Sequence, residues 1–237
     1  MEARQNGIPE ETIEAIARSF YKETAKYGFK QIDYVRFVNR LFDLSMKNNH
    51  NGDDPALVEP VVLPGAVIEL PIRGERVRIK PFKINSDFPL VNQWLDDEYG
   101  RYFLLSRVTS MPVSMEVLAT NPQNIFGLIT LSDGSPIGLL GFLDYDPLQK
   151  KAELRKLIGE SLYRGQGFAK EATSLWINYG IHGLGIKKIY LSTLDTAFRN
   201  IRLNEELGFK VEGILRNECF FDSEYHDILR MSMIIKE

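Results

Sequence analysis

The chain has 237 residues, 29 Lys and Arg against 32 Asp and Glu, a net charge of −3, and 26% charged against 44% hydrophobic residues. This near-neutral balance carries no block of like charges, which argues against a dedicated nucleic-acid or anionic-membrane binder, and no apolar run reaches the roughly 18 residues of a spanning helix. One cysteine, Cys219, cannot form an internal disulfide, and the three scattered histidines, His50, His182 and His226, are too few soft ligands for a structural zinc or di-metal site, so no metal is expected.

The amino terminus, MEARQNGIPEET, lacks the apolar core of a signal peptide, so the chain is expected in the cytoplasm. From Pro9 to Lys26 the positions Ile13, Ile16, Ala17, Phe20 and Thr24 follow three-four spacing, and Pro9 suits a first helical turn. Gly28 breaks that pattern. A second run sets Ile32, Val35, Val38, Leu41, Phe42 and Ser45 on one side, which predicts a helical hairpin over residues 1–47. The Asn-, Gly-, Asp- and Pro-rich stretch that follows predicts a linker over 48–66, leaving 67–237 as the main domain.

In that domain RVRIKPF (76–82) alternates with period two, and Asn85 to Trp94 reads as an acidic-capped helix burying Phe88, Val91 and Trp94. IFGLITL and PIGLLGFLDY flank the turn 132–135, and KAELRKLIG follows the loop 144–150, which predicts a three-stranded antiparallel meander. A Gly-rich turn, a helix over 170–182, a strand KKIYLSTL, a short helix over 199–207 and a final hairpin around Asp222-Ser223 complete an α/β (α+β) pattern. The implied fold is a central mixed, mostly antiparallel twisted sheet flanked by helices.

The segment that carries chemistry is KAELRKLIGESLYRGQGFAKEA. A strand ends near Gly159 and runs through Arg164, Gly165, Gln166, Gly167, Phe168 and Ala169 into a helix with Ala172, Leu175, Trp176 and Tyr179 on one stripe. The unpaired amides of a first helical turn point outward at the positive end of the helix dipole, so a pyrophosphate can be held there, and Gly167 lets the backbone come close. Arg164 would add a charge-assisted contact. A tight strand-to-helix turn alone also explains the glycines. The pattern is neither the dinucleotide GxGxxG nor a phosphate loop, since no third matching glycine and no GK[ST] follow.

YRGQGFAKEA, GLGIKKIYLSTL and RNIRLNEELGFKVEGILRNECFFDSEYHDILRMSMI together resemble the GNAT (Gcn5-related N-acetyltransferase) superfamily over about residues 76–237. Within it they are similar to the branch of ribosomal-protein N-terminal, spermidine and nucleotide-aminosugar N-acetyltransferases. The resemblance implies acetyl-CoA as co-substrate, with Arg164, Gly167 and Ala169 matching the family's pyrophosphate-binding pattern. It also implies that Asn200 contacts the cofactor's pantetheine or phosphate arm, although Asn there equally suits a helix N-cap. The backbone N–H groups of Leu157 and Gly159, with Ile158 between them, are expected free at a splayed strand end to bond pantetheine and polarise the thioester carbonyl.

One departure stands out. The family's tyrosine three residues before the LGF leucine protonates the departing thiolate, and Asn204 stands at that position. An amide donates a hydrogen bond but has no useful proton near neutral pH, so water or another residue must supply it, the step must need no acid, or activity is lost. For the base that deprotonates the incoming ammonium, Glu153 is the first candidate, with a cross-strand partnership to Arg155 or Lys151 as the structural alternative. Glu160 suits capping of the phosphate turn, and His226 on the last hairpin is a further titrating candidate. Cys219 as a covalent acyl carrier is the competing idea, without a nearby partner in sequence.

The expected acceptor is a primary amine of a small metabolite, an aminosugar or nucleotide-aminosugar first, then a polyamine or a protein amino terminus. Asp96, Asp97, Glu98 and Tyr99 are candidates for attracting a cationic amine, and Tyr102 and Phe103 for lining a sugar or base pocket. Two other readings give the front helices work: a catalytically weak acyl-CoA-binding module with a partner-binding hairpin, or an active enzyme dimerising through those helices or the sheet.

Overall fold

The computed structural model describes residues 10–29, 33–34, 37–38, 40–41, 68–97, 100, 103, 115–194 and 198–235. The chain divides into two compact units, Met1–Asn51 and Gly52–Glu237. The expected linker at 48–66 lies outside the described residues.

In the first unit, α1 spans Glu10–Ala25. Its inner contacts are aromatic: Phe20 stacks on Phe37 at 4.3 Å and meets Phe29 edge-on at 6.5 Å, while the Thr24 and Tyr34 hydroxyls lie 2.9 Å apart. Residues 33, 34, 37, 38, 40 and 41 are helical. Of the stripe read from spacing, Phe20 and Thr24 face inward, whereas Ile13, Ile16, Val38 and Leu41 are exposed. Aromatic rings bury more area per residue, and here Tyr34 and Phe37 supply the contacts with Phe20.

The second unit is built on one eight-stranded sheet. Its strands are β1 (Ile72–Arg73), β2 (Val77–Pro81), β3 (Ile125–Leu131), β4 (Pro136–Asp146), β5 (Lys151–Ile158), β6 (Lys188–Leu194), β7 (Lys210–Phe221) and β8 (Glu224–Ile234), in the spatial order β1-β2-β3-β4-β5-β6-β8-β7. Its helices are α2 (Ile84–Leu95), α3 (Met115–Thr120), α4 (Phe168–Asn178) and α5 (Phe198–Glu206). β3, β4 and β5 form the expected antiparallel meander, and only β5 and β6 pair in parallel among the described strands. Asp222 and Ser223, with φ of 53° and 65°, make the tight turn between β7 and β8.

Both faces of the central strands are covered, so β3 and β4 read as near-continuous apolar runs. On one face Ile79, Ile129, Leu140, Phe142 and Leu154 pack with Ala172, Leu175 and Trp176 of α4. On the other, Phe126, Leu128, Leu139, Leu143 and Leu157 pack with Val91 and Trp94 of α2 and Met115 and Leu118 of α3. Asp87 Oδ2 accepts the Lys83 backbone N–H at 2.8 Å, the acidic cap expected for α2. The helix expected to run to His182 stops as α-helix at Asn178 and closes with a wider turn over Tyr179–Gly183.

Candidate active site

β5 and β6 pair only at Lys151 with Lys188, Ala152 with Ile189 and Glu153 with Tyr190. Beyond Glu153 the two strands separate, although β5 continues to Ile158 and β6 to Leu194. The sheet therefore holds a fork with Glu153 at its apex. α4 follows β5 and α5 follows β6, so both helices begin at the open end of that fork.

Strand alternation sorts the candidates. Glu153 and Arg155 share a face with Tyr190 and Ser192 of β6 and with Arg230, Ile228 and His226 of β8, the face covered elsewhere by α2 and α3. Lys156 points the opposite way, toward Asn204 of α5, which also lies against Met231 of β8. Thus Glu153 and His226 come to one side of the sheet, while Asn200 and Asn204 come to the other. Asn200 Nδ2 donates to Thr193 Oγ1 at 2.9 Å, tying α5 to β6; it stands inside the helix, not at its cap.

Glu153 is buried, and its carboxylate accepts Arg155 Nη2 at 2.8 Å. The Arg155 partnership expected as the structural alternative is thus present, between side chains two residues apart on one strand face. Arg155 Nε, Ser192 Oγ and Arg230 Nε on this face are buried without hydrogen-bond partners among the described residues. Each is a donor that a bound molecule would satisfy.

The expectation about free amides is corrected. The Gly159 N–H donates to Ile137 O at 2.9 Å, so it is spent on the β4 side, and alternation sends the Leu157 N–H the same way. The amides that turn toward the fork, past the last paired residues, are those of Lys156 and Ile158. Arg164 also differs from expectation. Its Nε donates to Ile158 O at 2.9 Å, and its Nη2 to Gly159 O at 2.6 Å and Asp97 Oδ2 at 2.5 Å. The guanidinium therefore locks the end of β5. Glu160 accepts Trp94 Nε1 at 2.9 Å, fixing the loop to α2.

At the Gly-rich loop, Gly167 has φ +84° and precedes the first residue of α4. A Cβ there would be strained and would come within 3.3 Å of Arg76 Nη2, so glycine keeps the approach to the first-turn amides of Phe168 and Ala169 open. Gly165 is also left-handed, and Gln166 offers its carbonyl to Arg76 Nη1 at 3.0 Å. Arg76 also bonds Glu171 Oε2 at 2.9 Å and covers the Phe168 ring at 4.5 Å. No local signal marks Arg76, because its partners lie about ninety residues away in sequence.

Lys156 was likewise absent from the sequence-derived candidates. Its ammonium donates to Asn204 Oδ1, and Asn204 is fully buried. Burial, with the Arg155 charge adding to it, pushes the Lys156 amine down to about 7. Between about pH 7 and pH 10 the unfolded chain then binds more protons than the folded one, so stability should rise with pH across that window. Denaturant midpoints should show this rise in the wild type and a flatter profile in Lys156→Met; equal slopes would refute it.

Cys219 packs with Ile228, Leu194 and Leu215, and burial raises its thiol, which makes it a poor nucleophile. Phe103 is buried with Trp94 and Val91. Glu98, Tyr99 and Tyr102 lie outside the described residues. Among the described residues no helix is long and apolar enough to cross a membrane.

A mixed sheet forked between parallel neighbours, with helix N-termini at the open end, is the frame of an acyl-CoA-dependent transferase. Residues 76–210 match the acetyltransferase (GNAT) domain, and the chain belongs to that family. It is similar to spermidine N(1)-acetyltransferase of Escherichia coli (strain K12), 25% identical over 149 residues that cover 63% of this chain and 76% of the relative. The Vibrio cholerae spermidine N(1)-acetyltransferase is 24% identical over 151 residues, 64% of this chain and 83% of that one. A dodecameric structure of spermidine N-acetyltransferase from Vibrio cholerae shares the fold, with TM-score 0.57 at 20% identity over 68% of this chain and 95% of that one. The protein is an N-acetyltransferase with acetyl-CoA as co-substrate. The open Gly167 cradle and the Lys156 and Ile158 amides fit that molecule.

Proposed function

We propose that this enzyme moves an acetyl group directly, in one ternary complex, to a primary amine of a small molecule, with a polyamine as the first-choice acceptor. The observation that carries the reading is the fork itself. It places Glu153 on one face of β5 and the α4 amino terminus on the other, so that the two substrates meet across the strand gap from opposite sides. Glu153 takes the proton from the incoming ammonium, and the first-turn amides of α4 hold the pyrophosphate, with Arg164 and Asn200 bracing the strand ends. Fixed backbone donors and placement supply the remainder of the rate.

The polyamine preference rests on the spermidine acetyltransferases among the relatives; the aminosugar ranked first from sequence draws no support from them. A second reading, an amine bearing hydroxyl or carboxylate groups, is favoured by the unpaired donors of Arg155, Ser192 and Arg230. Thiol release from acetyl-CoA should be measured with spermidine, spermine, glucosamine, amino acids and a protein amino-terminal peptide. Spermidine should give the highest kcat/KM. Highest turnover on an oxygen-rich amine would select the second reading, and tight acetyl-CoA binding with no turnover on any amine would leave a binding module.

Homodimerisation through the front helices or the sheet is proposed for the exposed Ile13, Ile16 and Tyr21 of α1. Light scattering that shows a monomer at micromolar concentration would remove it.

A further inference from the structure

We infer that Lys156 donates the proton to the departing CoA sulfur and that Asn204 holds it in position. The inference rests on the acetyl-transfer reading above. Asn204 cannot fill the role, because an amide has no proton to give near neutral pH. Its Oδ1 instead accepts the Lys156 ammonium, while its Nδ2 donates to Met231 Sδ at 3.9 Å, so the side chain is fixed from both ends. Asn204 is fully buried, and the ammonium beside it lies on the face of β5 that α4 and α5 share.

The placement along β5 supports the same role. A molecule with its phosphates at the α4 amino terminus and its amide-bearing arm along the Lys156 and Ile158 amides points its acyl end toward the apex. Three extended residues, roughly 10 Å, separate Lys156 from Glu153, and their side chains leave opposite faces of the strand. A proton donor and a proton acceptor thus flank the position where the C–S bond breaks. Glu153 cannot serve both ends, since it lies on the acceptor face and is bonded to Arg155.

The proton count closes without a further reactant. The acceptor nitrogen forms a bond to the acetyl carbon, and the C–S bond breaks with its electron pair on sulfur. Lys156 Nζ gives one proton to that sulfur, yielding free thiol and a neutral amine. The acceptor ammonium loses two protons in becoming an amide. One restores the Lys156 ammonium through water, and the other leaves through Glu153 to solvent.

The group that faces Lys156 from α5 is the neutral Asn204 amide, and β6 and β8 contribute Leu191, Thr193 and Met231 on that face. Arg155 on its own strand is the one charge that acts on it among those resolved, and Glu205, next along α5, is held toward its neutral form by burial. An amine poised near 7 is protonated enough to act as an acid yet gives up the proton readily.

The experiment uses the full chain, acetyl-CoA and spermidine, or whichever panel amine turns over fastest. Lys156→Met should lower kcat about 100-fold and abolish the fall of kcat above neutral pH, while KM for acetyl-CoA stays within about threefold. Lys156→Arg keeps the charge but cannot release a proton, so it should stay as slow and lack the same limb. Full activity in Lys156→Arg, or a high-pH limb that persists in Lys156→Met, would overturn the inference. A second measurement does not need turnover: thiolate absorbance of bound CoA should titrate at lower pH than free CoA in the wild type and return to the free value in Lys156→Met. An unshifted thiol in the wild type counts against Lys156 even if transfer occurs. A shifted thiol in a wild type that acetylates nothing would sustain the Lys156 placement while refuting the transferase reading.

Discussion

Glu153→Gln is expected to lower kcat by about 10² to 10⁴, the usual weight of a general base, with KM for acetyl-CoA little changed. The substitution is chosen for what it preserves. A glutamine has the same shape, and its amide oxygen still accepts Arg155 Nη2, so the buried pair at the apex keeps its hydrogen bond. What disappears is a lone pair able to take a proton from an ammonium. Glu153→Ala is the contrasting variant, because it leaves the buried Arg155 without its counter-charge, which typically costs about 3–5 kcal/mol. Steady-state thiol release and a thermal melt separate the two effects. A Glu153→Gln enzyme with kcat within about threefold of wild type would make Glu153 an ion-pair partner only and assign proton removal elsewhere, with His226 on the same face as the next candidate.

The second large effect is on stability. Gly159→Ala places a Cβ 2.0 Å from Trp94 Cδ2 and 2.2 Å from Trp94 Cγ. Trp94 cannot step aside cheaply, because its ring is packed against Val91 and Phe103 and its Nε1 is held by Glu160 at 2.9 Å. Overpacking of this kind typically costs about 1–3 kcal/mol and more where the neighbour is fixed, so Tm should fall by several degrees. KM for acetyl-CoA should rise with it, since Arg164 anchors on the Gly159 and Ile158 carbonyls and the loop into α4 moves with them. A melt unchanged within about one degree would mean that Trp94 repacks freely and that the loop is not clamped.

Much of the architecture was legible along the chain because it depends on local pattern. Apolar runs flanking the Asp133-Gly134 turn and the loop 144–150 marked the meander β3–β4–β5, and the Gly-rich loop before an apolar stripe marked the start of α4. The short helix α3 went unread, since six residues carry too little periodicity to separate helix from loop. In the front unit Phe20 makes the inner contacts that its place in the spacing predicted, but with Tyr34 and Phe37, which the spacing did not mark, while Ile13 and Ile16 stay exposed, because aromatic rings bury more area.

The site divides in the same way. The sequence by itself placed Glu153 on a central strand and Gly167 at a helix start, and marked Asn204 as a departure from the family pattern. It anticipated a splayed strand end but could not set the parting of β5 and β6 after Glu153, because the register of divergence is a property of pairing between segments over thirty residues apart. For the same reason it assigned the free amides to Leu157 and Gly159 when alternation, fixed by the bond from Gly159 to Ile137, sends Lys156 and Ile158 toward the fork. It also read Arg164 as a phosphate contact, where the folded chain turns that side chain onto Ile158, Gly159 and Asp97. Only the tertiary structure set Lys156 beside Asn204, 48 positions along, and there burial and a neighbouring Arg155 change an ordinary surface amine into a proton donor near neutral pH.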